Sequence, residues 1–142
     1  DRCRVSGVRC RRRHVSETKQ KKVERFTDLD VWRKAHDLFL RLLSDLNSLP
    51  NSRIANILTD QSIRAIGSIG ANIAEGFNRS KAKYLNSLDI ALGEANESEN
   101  WLYKLRDSQL LDRDKANSHV AETIQIQKML SALHRAISRR PS

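Results

Sequence analysis

Four long stretches of the chain repeat apolar residues at steps of three and four, the spacing that places side chains on one face of an α-helix. The stretches cover about residues 30–49, 53–75, 80–106 and 112–137. No stretch alternates apolar and polar residues as a half-buried strand does. The pattern therefore predicts an all-α protein with four helices of about 20 residues each.

The breaks between these stretches are short and carry helix-ending residues. Leu49-Pro50 closes the first stretch, Gly76-Phe77 the second and Asp107-Ser108 the third. Gly76 is suited to the left-handed position that often follows a helix. Because short loops between long helices make neighbours antiparallel, we expect an up-down-up-down four-helix bundle over residues 26–140.

The second predicted helix is apolar on more than one face. Small residues gather on its second face, alongside Ile57: Gly67, Gly70, Ala71 and Ala74. A helix that is apolar on nearly all sides must be covered on nearly all sides, and the stripe facing the core accounts for only one of them. We expect this second face to contact another subunit; tight packing inside one bundle is the competing interpretation.

Four polar residues lie within apolar surroundings in the second and third helices: Arg64, Asn72, Glu75 and Glu97. Because an unpaired buried charge is costly, Arg64 is expected to meet Glu97 or Glu75. We interpret the four as buried hydrogen-bonding residues that fix helix register or the subunit interface. A small-molecule or acid–base site is the functional alternative.

The positive charge is concentrated at the N-terminus. The chain has a formal charge of +9, and residues 1–25 contain ten Lys or Arg against three acidic residues. This segment, which includes Arg11, Arg12 and Arg13, is predicted to be a disordered basic tail. It is either a nucleic-acid-binding arm or a segment without function, a solvated leader or upstream sequence translated by mistake. Its Cys3 and Cys10 lack the paired spacing of a zinc site.

Further basic residues are expected at one end of the bundle. In an up-down-up-down arrangement, the start of helix 1, the loop between helices 2 and 3, and the end of helix 4 share a pole. We call the following residues the basic pole: Arg79, Lys81, Lys83, Arg135, Arg139 and Arg140. They suit phosphate backbones, although cations near helix C-termini also simply complement the helix dipole. Aromatic residues form only 5% of the chain, which predicts mainly electrostatic, weakly sequence-specific binding.

Motifs for catalysis and cofactor binding are absent from the sequence. A di-iron bundle needs Glu-x-x-His on two helices, and no Glu here is followed by His at that step. Nucleophile elbows, phosphate-binding loops and paired zinc cysteines are also missing. We therefore expect no enzyme activity, cofactor or metal, and, without a spanning segment or secretory signal, a cytoplasmic protein away from the membrane.

Three segments carry a family resemblance: Phe26–Leu40, Gln61–Phe77 and Tyr84–Asn100. They resemble the proteins encoded in intervening sequences of bacterial 23S ribosomal RNA genes, also called the S23 ribosomal protein family. The resemblance is most specific over residues 71–76, and departs from the family at Gly70, where proline is usual, and at Trp101. It implies a non-catalytic homopentamer of four-helix bundles, similar to the nucleic-acid-binding accessory protein of diversity-generating retroelements.

Two functional hypotheses follow. The first is a homo-oligomer that binds RNA or DNA through the basic pole. The second is a protein-interaction scaffold for a reverse transcriptase or a ribonucleoprotein component, without direct nucleic-acid contact.

Overall fold

The computed structural model describes residues 22–142 as four long helices preceded by a short 3₁₀ turn at Phe26–Asp28. The helices are α1 (Asp30–Leu46), α2 (Arg53–Gly76), α3 (Lys81–Asp107) and α4 (Arg113–Ser138). No strand occurs in this part of the chain, so the all-α prediction is confirmed there. The predicted tail, with Arg11, Arg12 and Arg13, falls outside the described residues up to residue 21.

The four helices enclose one apolar core. Residues at three- and four-residue steps bury their side chains almost completely, among them Leu38 in α1, Ile69 in α2, Leu88 in α3 and Ile126 in α4. Each such side chain contributes about 1.5–3 kcal/mol through burial. The core is therefore built from the apolar stripes that define the helices in the sequence.

Side-chain pairs show how the helices lie against one another. Between α3 and α4, the paired positions rise along one helix as they fall along the other: Lys81–Arg140, Asp89–His134, Glu99–Gln127 and Arg106–Asn117. α2 packs on α1 and α3, and α1 also packs on α4. Each helix thus contacts the helices before and after it in the chain, and the first contacts the last.

Polar side chains cap three of the helices at their N-termini. Ser52, Ser80 and Asp112 each accept a hydrogen bond from a backbone N–H in the first turn of α2, α3 and α4 respectively. These caps satisfy donors that have no partner within the helix. The starts of these three helices match the sequence prediction.

The end of α1 differs from the prediction. The helix stops at Leu46 rather than Leu49, and the Leu49 N–H bonds to the Leu46 carbonyl in a tighter turn. Leu49 still packs against the core. Its apolar side chain therefore continues the helical pattern in the sequence although its backbone has left the helix.

Gly76 does not occupy the left-handed position that the sequence predicted. It is the last residue of α2, and the positive φ of the following turn belongs to Asn78, at 60°. A Cβ placed on Gly76 would lie 2.6 Å from Ser87 Oγ and nearer still to Ser87 Cβ. The glycine is needed because the end of α2 and the first turns of α3 approach closely, not because the backbone is left-handed.

Candidate nucleic-acid interface

The basic pole gathers around the end of α4 and the start of α3. The Lys81 ammonium donates a 2.6 Å hydrogen bond to the backbone carbonyl of Arg140. This bond brings the first residue of α3 next to the chain that follows α4. The other four members, Arg79, Lys83, Arg135 and Arg139, are exposed.

Two neighbours modify the electrostatics of this pole. His134 Nε2 lies 3.2 Å from the exposed carboxylate of Asp89, which offsets part of the positive charge along α3. Tyr84 is buried beside the pole, and burial raises the pKa of its phenol while the charge of Arg140 opposes that rise. Tyr84 therefore stays a neutral, packed side chain at the base of a cationic surface.

Two basic side chains at the opposite end of the molecule, Arg106 and Lys115, are paired with acidic ones. Arg106 Nε lies 2.8 Å from Asp107 Oδ1, and Arg106 Nη1 bonds to Asn117 at 3.0 Å. The hydrogen bond between Arg106 and Asp107 lowers the pKa of the carboxyl and raises that of the guanidinium. This end thus mixes both signs of charge, in contrast to the basic pole.

The predicted partner of Arg64 is present, but the pair is not buried. Arg64 Nη2 lies 3.7 Å from Glu97 Oε1, with 67% of the Arg64 side chain exposed. Glu97 also accepts a 3.2 Å hydrogen bond from Trp101 Nε1. Burial, then the nearby Glu97, raises the pKa of the Glu94 carboxyl, while Arg64 opposes the rise. Within one bundle the pair is not buried, because this side of α2 faces outward. The predicted place of the pair at a subunit interface stays a prediction.

Within one bundle, Asn72 and Glu75 do not hold neighbouring helices together, and their predicted role at a subunit interface stays a prediction. The Asn72 amide donates 2.7 Å to the Ser68 carbonyl in its own helix, and Glu75 is exposed. Ser68 repeats this local pattern by donating to the Arg64 carbonyl. The side chains of Asn72 and Ser68 thus make their hydrogen bonds within α2, so these bonds do not set the register between helices.

Two of the small residues on α2 are covered by aromatic rings of α1. A Cβ on Gly67 would lie 3.3 Å from the Phe39 ring, and one on Gly70 would lie 3.4 Å from Trp32 Nε1. The competing interpretation, close packing inside one bundle, therefore holds for these two glycines. Ala71 remains exposed.

A buried polar pair between α1 and α4 escaped the sequence analysis. His119 Nε2 lies 2.6 Å from Asp45 Oδ2, and only 5% of the His119 side chain is exposed. Its Nδ1 is buried without a hydrogen-bond partner. His119 follows the buried Ala116 by three positions, which places it on the inward face of α4. This position in the sequence could have identified His119 as a buried residue.

Beside this pair, Arg41 of α1 forms a two-pronged salt bridge with Glu122 of α4. The hydrogen bonds from Arg41 lower the pKa of the Glu122 carboxyl and raise that of the guanidinium. Over residues 22–142, no cluster of three or more His, Cys, Asp or Glu residues could hold a metal ion. The Asp45–His119 and Arg41–Glu122 pairs each join α1 to α4.

The fold and the surface define a small all-helical protein with four helices and a cationic end. Residues 27–132 match the family described as 23S rRNA-intervening sequence protein, and the chain belongs to this family. A similar solved structure is the crystal structure of a protein with unknown function from the S23 ribosomal protein family of Bacteroides thetaiotaomicron VPI-5482. It is 32% identical, with a TM-score of 0.68, over 74% of this chain and 98% of that one.

No functionally curated protein matches the sequence. In the described part of the chain, no helix combines the length and apolar character needed to cross a bilayer. The family membership confirms the resemblance that the motifs indicated.

Proposed function

We propose that this protein is a non-catalytic, self-associating four-helix bundle that binds RNA or DNA through its basic pole. The observation that carries the proposal is the bond between Lys81 and Arg140, which gathers basic residues from the start of α3 and the end of α4. The order of paired positions along α3 and α4 supports an up-down-up-down arrangement of the helices. Such an arrangement also brings Arg79, after α2, to the same end.

The physical basis of the proposed binding is neutralisation of phosphates. Each Lys or Arg that contacts a phosphate releases condensed counterions, so affinity falls steeply as salt rises. At the opposite end Asp45, Asp107, Asp112 and Asp114 lie among the basic residues, so the net positive charge there is small and would contribute little. Binding is therefore expected to depend on which end carries the substituted residues.

A charge-neutralised variant tests the proposal. Changing Lys83, Arg135 and Arg139 to Gln should weaken binding to a 20-base-pair RNA or DNA duplex. The slope of log affinity against log salt should become shallower by about 0.9 for each phosphate that the variant no longer neutralises. Fluorescence anisotropy across a salt series measures both quantities.

The matched control changes the same number of charges at the other end, at Arg53, Lys104 and Arg113. It should retain nearly the full affinity and slope. Equal losses in the two triple variants, or affinity independent of salt, would contradict the proposal. A chain lacking residues 1–21 separates the contribution of the tail from that of the basic pole.

We further propose that the protein assembles, as a homopentamer, through the outward side of α2 and α3. Ile57 and Ala71 lie seven positions to either side of Arg64, and Ile90 lies seven positions before its partner Glu97. All three therefore lie along one side of the two helices. Ile57 is 51% exposed and Ile90 44%, leaving apolar surface to cover.

The mass of the full chain in solution tests this assembly. We expect about five times the 16.3 kDa of one chain. Changing Ile57 and Ile90 together to Asp should dissociate the assembly while helix content is retained, because each carboxylate would enter an apolar contact without a partner. Leu40→Asp on α1, at a residue 49% exposed, is the matched control and should leave the mass unchanged. A monomeric wild type is the result that rules the assembly out.

A further inference from the structure

An aromatic groove runs between the first half of α1 and the second half of α2. One wall carries Phe26, Trp32, His36 and Phe39, and the other carries the small residues of α2: Gly67, Gly70, Ala71 and Ala74. The groove has a volume of about 340 Å³. It gathers three of the seven Phe, Trp and Tyr residues of the chain in one place.

The groove is open because α2 has no side chain large enough to fill it. The rings of Phe39 and Trp32 rest on the backbone at Gly67 and Gly70. Trp32 and His36 stack with ring centroids 4.8 Å apart and planes 13° apart. Phe26 meets Trp32 edge-on at 5.4 Å. Partly exposed flat rings are thus stacked along one wall of the aromatic groove, and the other wall is apolar.

The position of the aromatic groove ties it to the basic pole. It is built from the start of α1 and the end of α2, and Ala74 in its wall lies five residues before Arg79. Arg25 extends the groove, with its guanidinium carbon 6.0 Å from the centre of the Phe26 ring. Acidic residues are absent from its lining. Flat apolar walls next to cations suit a ligand that is itself a flat ring attached to an anion.

We propose that the aromatic groove binds an unpaired base of single-stranded RNA or DNA, stacked on these rings, while neighbouring phosphates contact the basic pole. This inference rests on the proposed nucleic-acid binding and adds to it a contact that only single strands can make. Bases in a duplex are already stacked and paired, so they cannot enter the groove. Every base has a π-face, so stacking tolerates many sequences and contributes a measurable part of single-strand affinity.

Tryptophan fluorescence tests the inference, because the chain has only Trp32 and Trp101. In a Trp101→Phe background, Trp32 is the single reporter. A 12-nucleotide oligouridylate should quench its emission, whereas a 12-base-pair RNA duplex should bind without quenching. The full chain is used throughout.

Affinity measurements on groove variants give a second readout. Trp32→Leu keeps an apolar side chain on Gly70, and His36→Ala changes an exposed residue, so circular dichroism should show both folded. Each should weaken oligouridylate binding about fivefold or more without changing duplex affinity. Trp101→Leu, at the tryptophan outside the groove, is the matched control and should bind both probes normally.

The outcomes separate this inference from the proposed function. Salt-sensitive binding of both probes, with no quenching and normal affinity in Trp32→Leu, overturns the groove and leaves the basic pole intact. Failure of the wild type to bind either probe overturns both. If Trp32→Leu instead lowers the mass of the assembly, the groove holds a second copy of the chain and the base-binding inference is wrong.

Discussion

Replacing Gly76 with alanine should lower the free energy of unfolding by about 1–3 kcal/mol, the range seen when a packed core is overfilled. The added Cβ would fall 2.6 Å from Ser87 Oγ and 3.4 Å from the Tyr84 Cα. The Ser87 Cβ would lie nearer still and does not move when χ1 changes, so a change of rotamer cannot relieve the clash. The end of α2 and the start of α3 would have to move apart, near the Lys81–Arg140 contact. Urea denaturation monitored by circular dichroism measures the change.

Gly93 supplies the matched control for this substitution. It lies inside α3, and beyond its chain neighbours and its own helix backbone no atom lies within 4 Å of a Cβ placed on it. Gly93→Ala should therefore stabilise the protein by up to about 1 kcal/mol, the helix-propensity difference between the two residues. Ser87→Gly in the Gly76→Ala background should recover part of the loss. If Gly76→Ala were as stable as Gly93→Ala, the proposed close approach would be wrong.

Replacing Asp45 with alanine should cost about 2 kcal/mol of stability. Asp45 is the hydrogen-bond partner of the buried His119 ring, 2.6 Å from Nε2. Without it both ring nitrogens would be buried and unpaired, because Nδ1 already has no partner. A buried polar group left without a partner costs about 1–3 kcal/mol. Thermal or urea unfolding at pH 7 provides the measurement.

A double-mutant cycle identifies the source of that loss. Adding His119→Leu to Asp45→Ala removes the unpaired ring and replaces it with an apolar side chain. The double variant should be more stable than Asp45→Ala alone, because removing both partners of a buried pair is often nearly neutral. Additive losses would show instead that the two residues act independently.

The positions of the helices could be predicted from the sequence because the apolar periodicity that indicates a helix lies within one segment of the chain. Steps of three and four between apolar residues placed all four helices, and Ser80 and Asp112 marked two of the starts. The predicted end of α1 was wrong because it was placed at Leu49. Its burial extends the apolar pattern beyond the backbone hydrogen bonds that define the helix.

The candidate sites were less predictable than the helices. Low aromatic content indicated weak base stacking, yet the fold gathers Phe26, Trp32, His36 and Phe39 in one groove. A percentage averages over the chain, whereas stacking depends on which rings meet. Arg64 and Glu97 were correctly paired, but within one chain they lie at the surface, because apolar neighbours in sequence need not surround a residue in space.

The sequence alone determined the all-α class, the four helical stretches and the family, since these depend on periodicity and motifs within single segments. The tertiary structure decided the role of Gly76, the covering of Gly67 and Gly70, and the pairing of His119 with Asp45. These features join residues on different helices, up to 74 positions apart for His119 and Asp45. Local periodicity fixes which face of a helix is apolar, but only packing decides which partner that face meets and how closely.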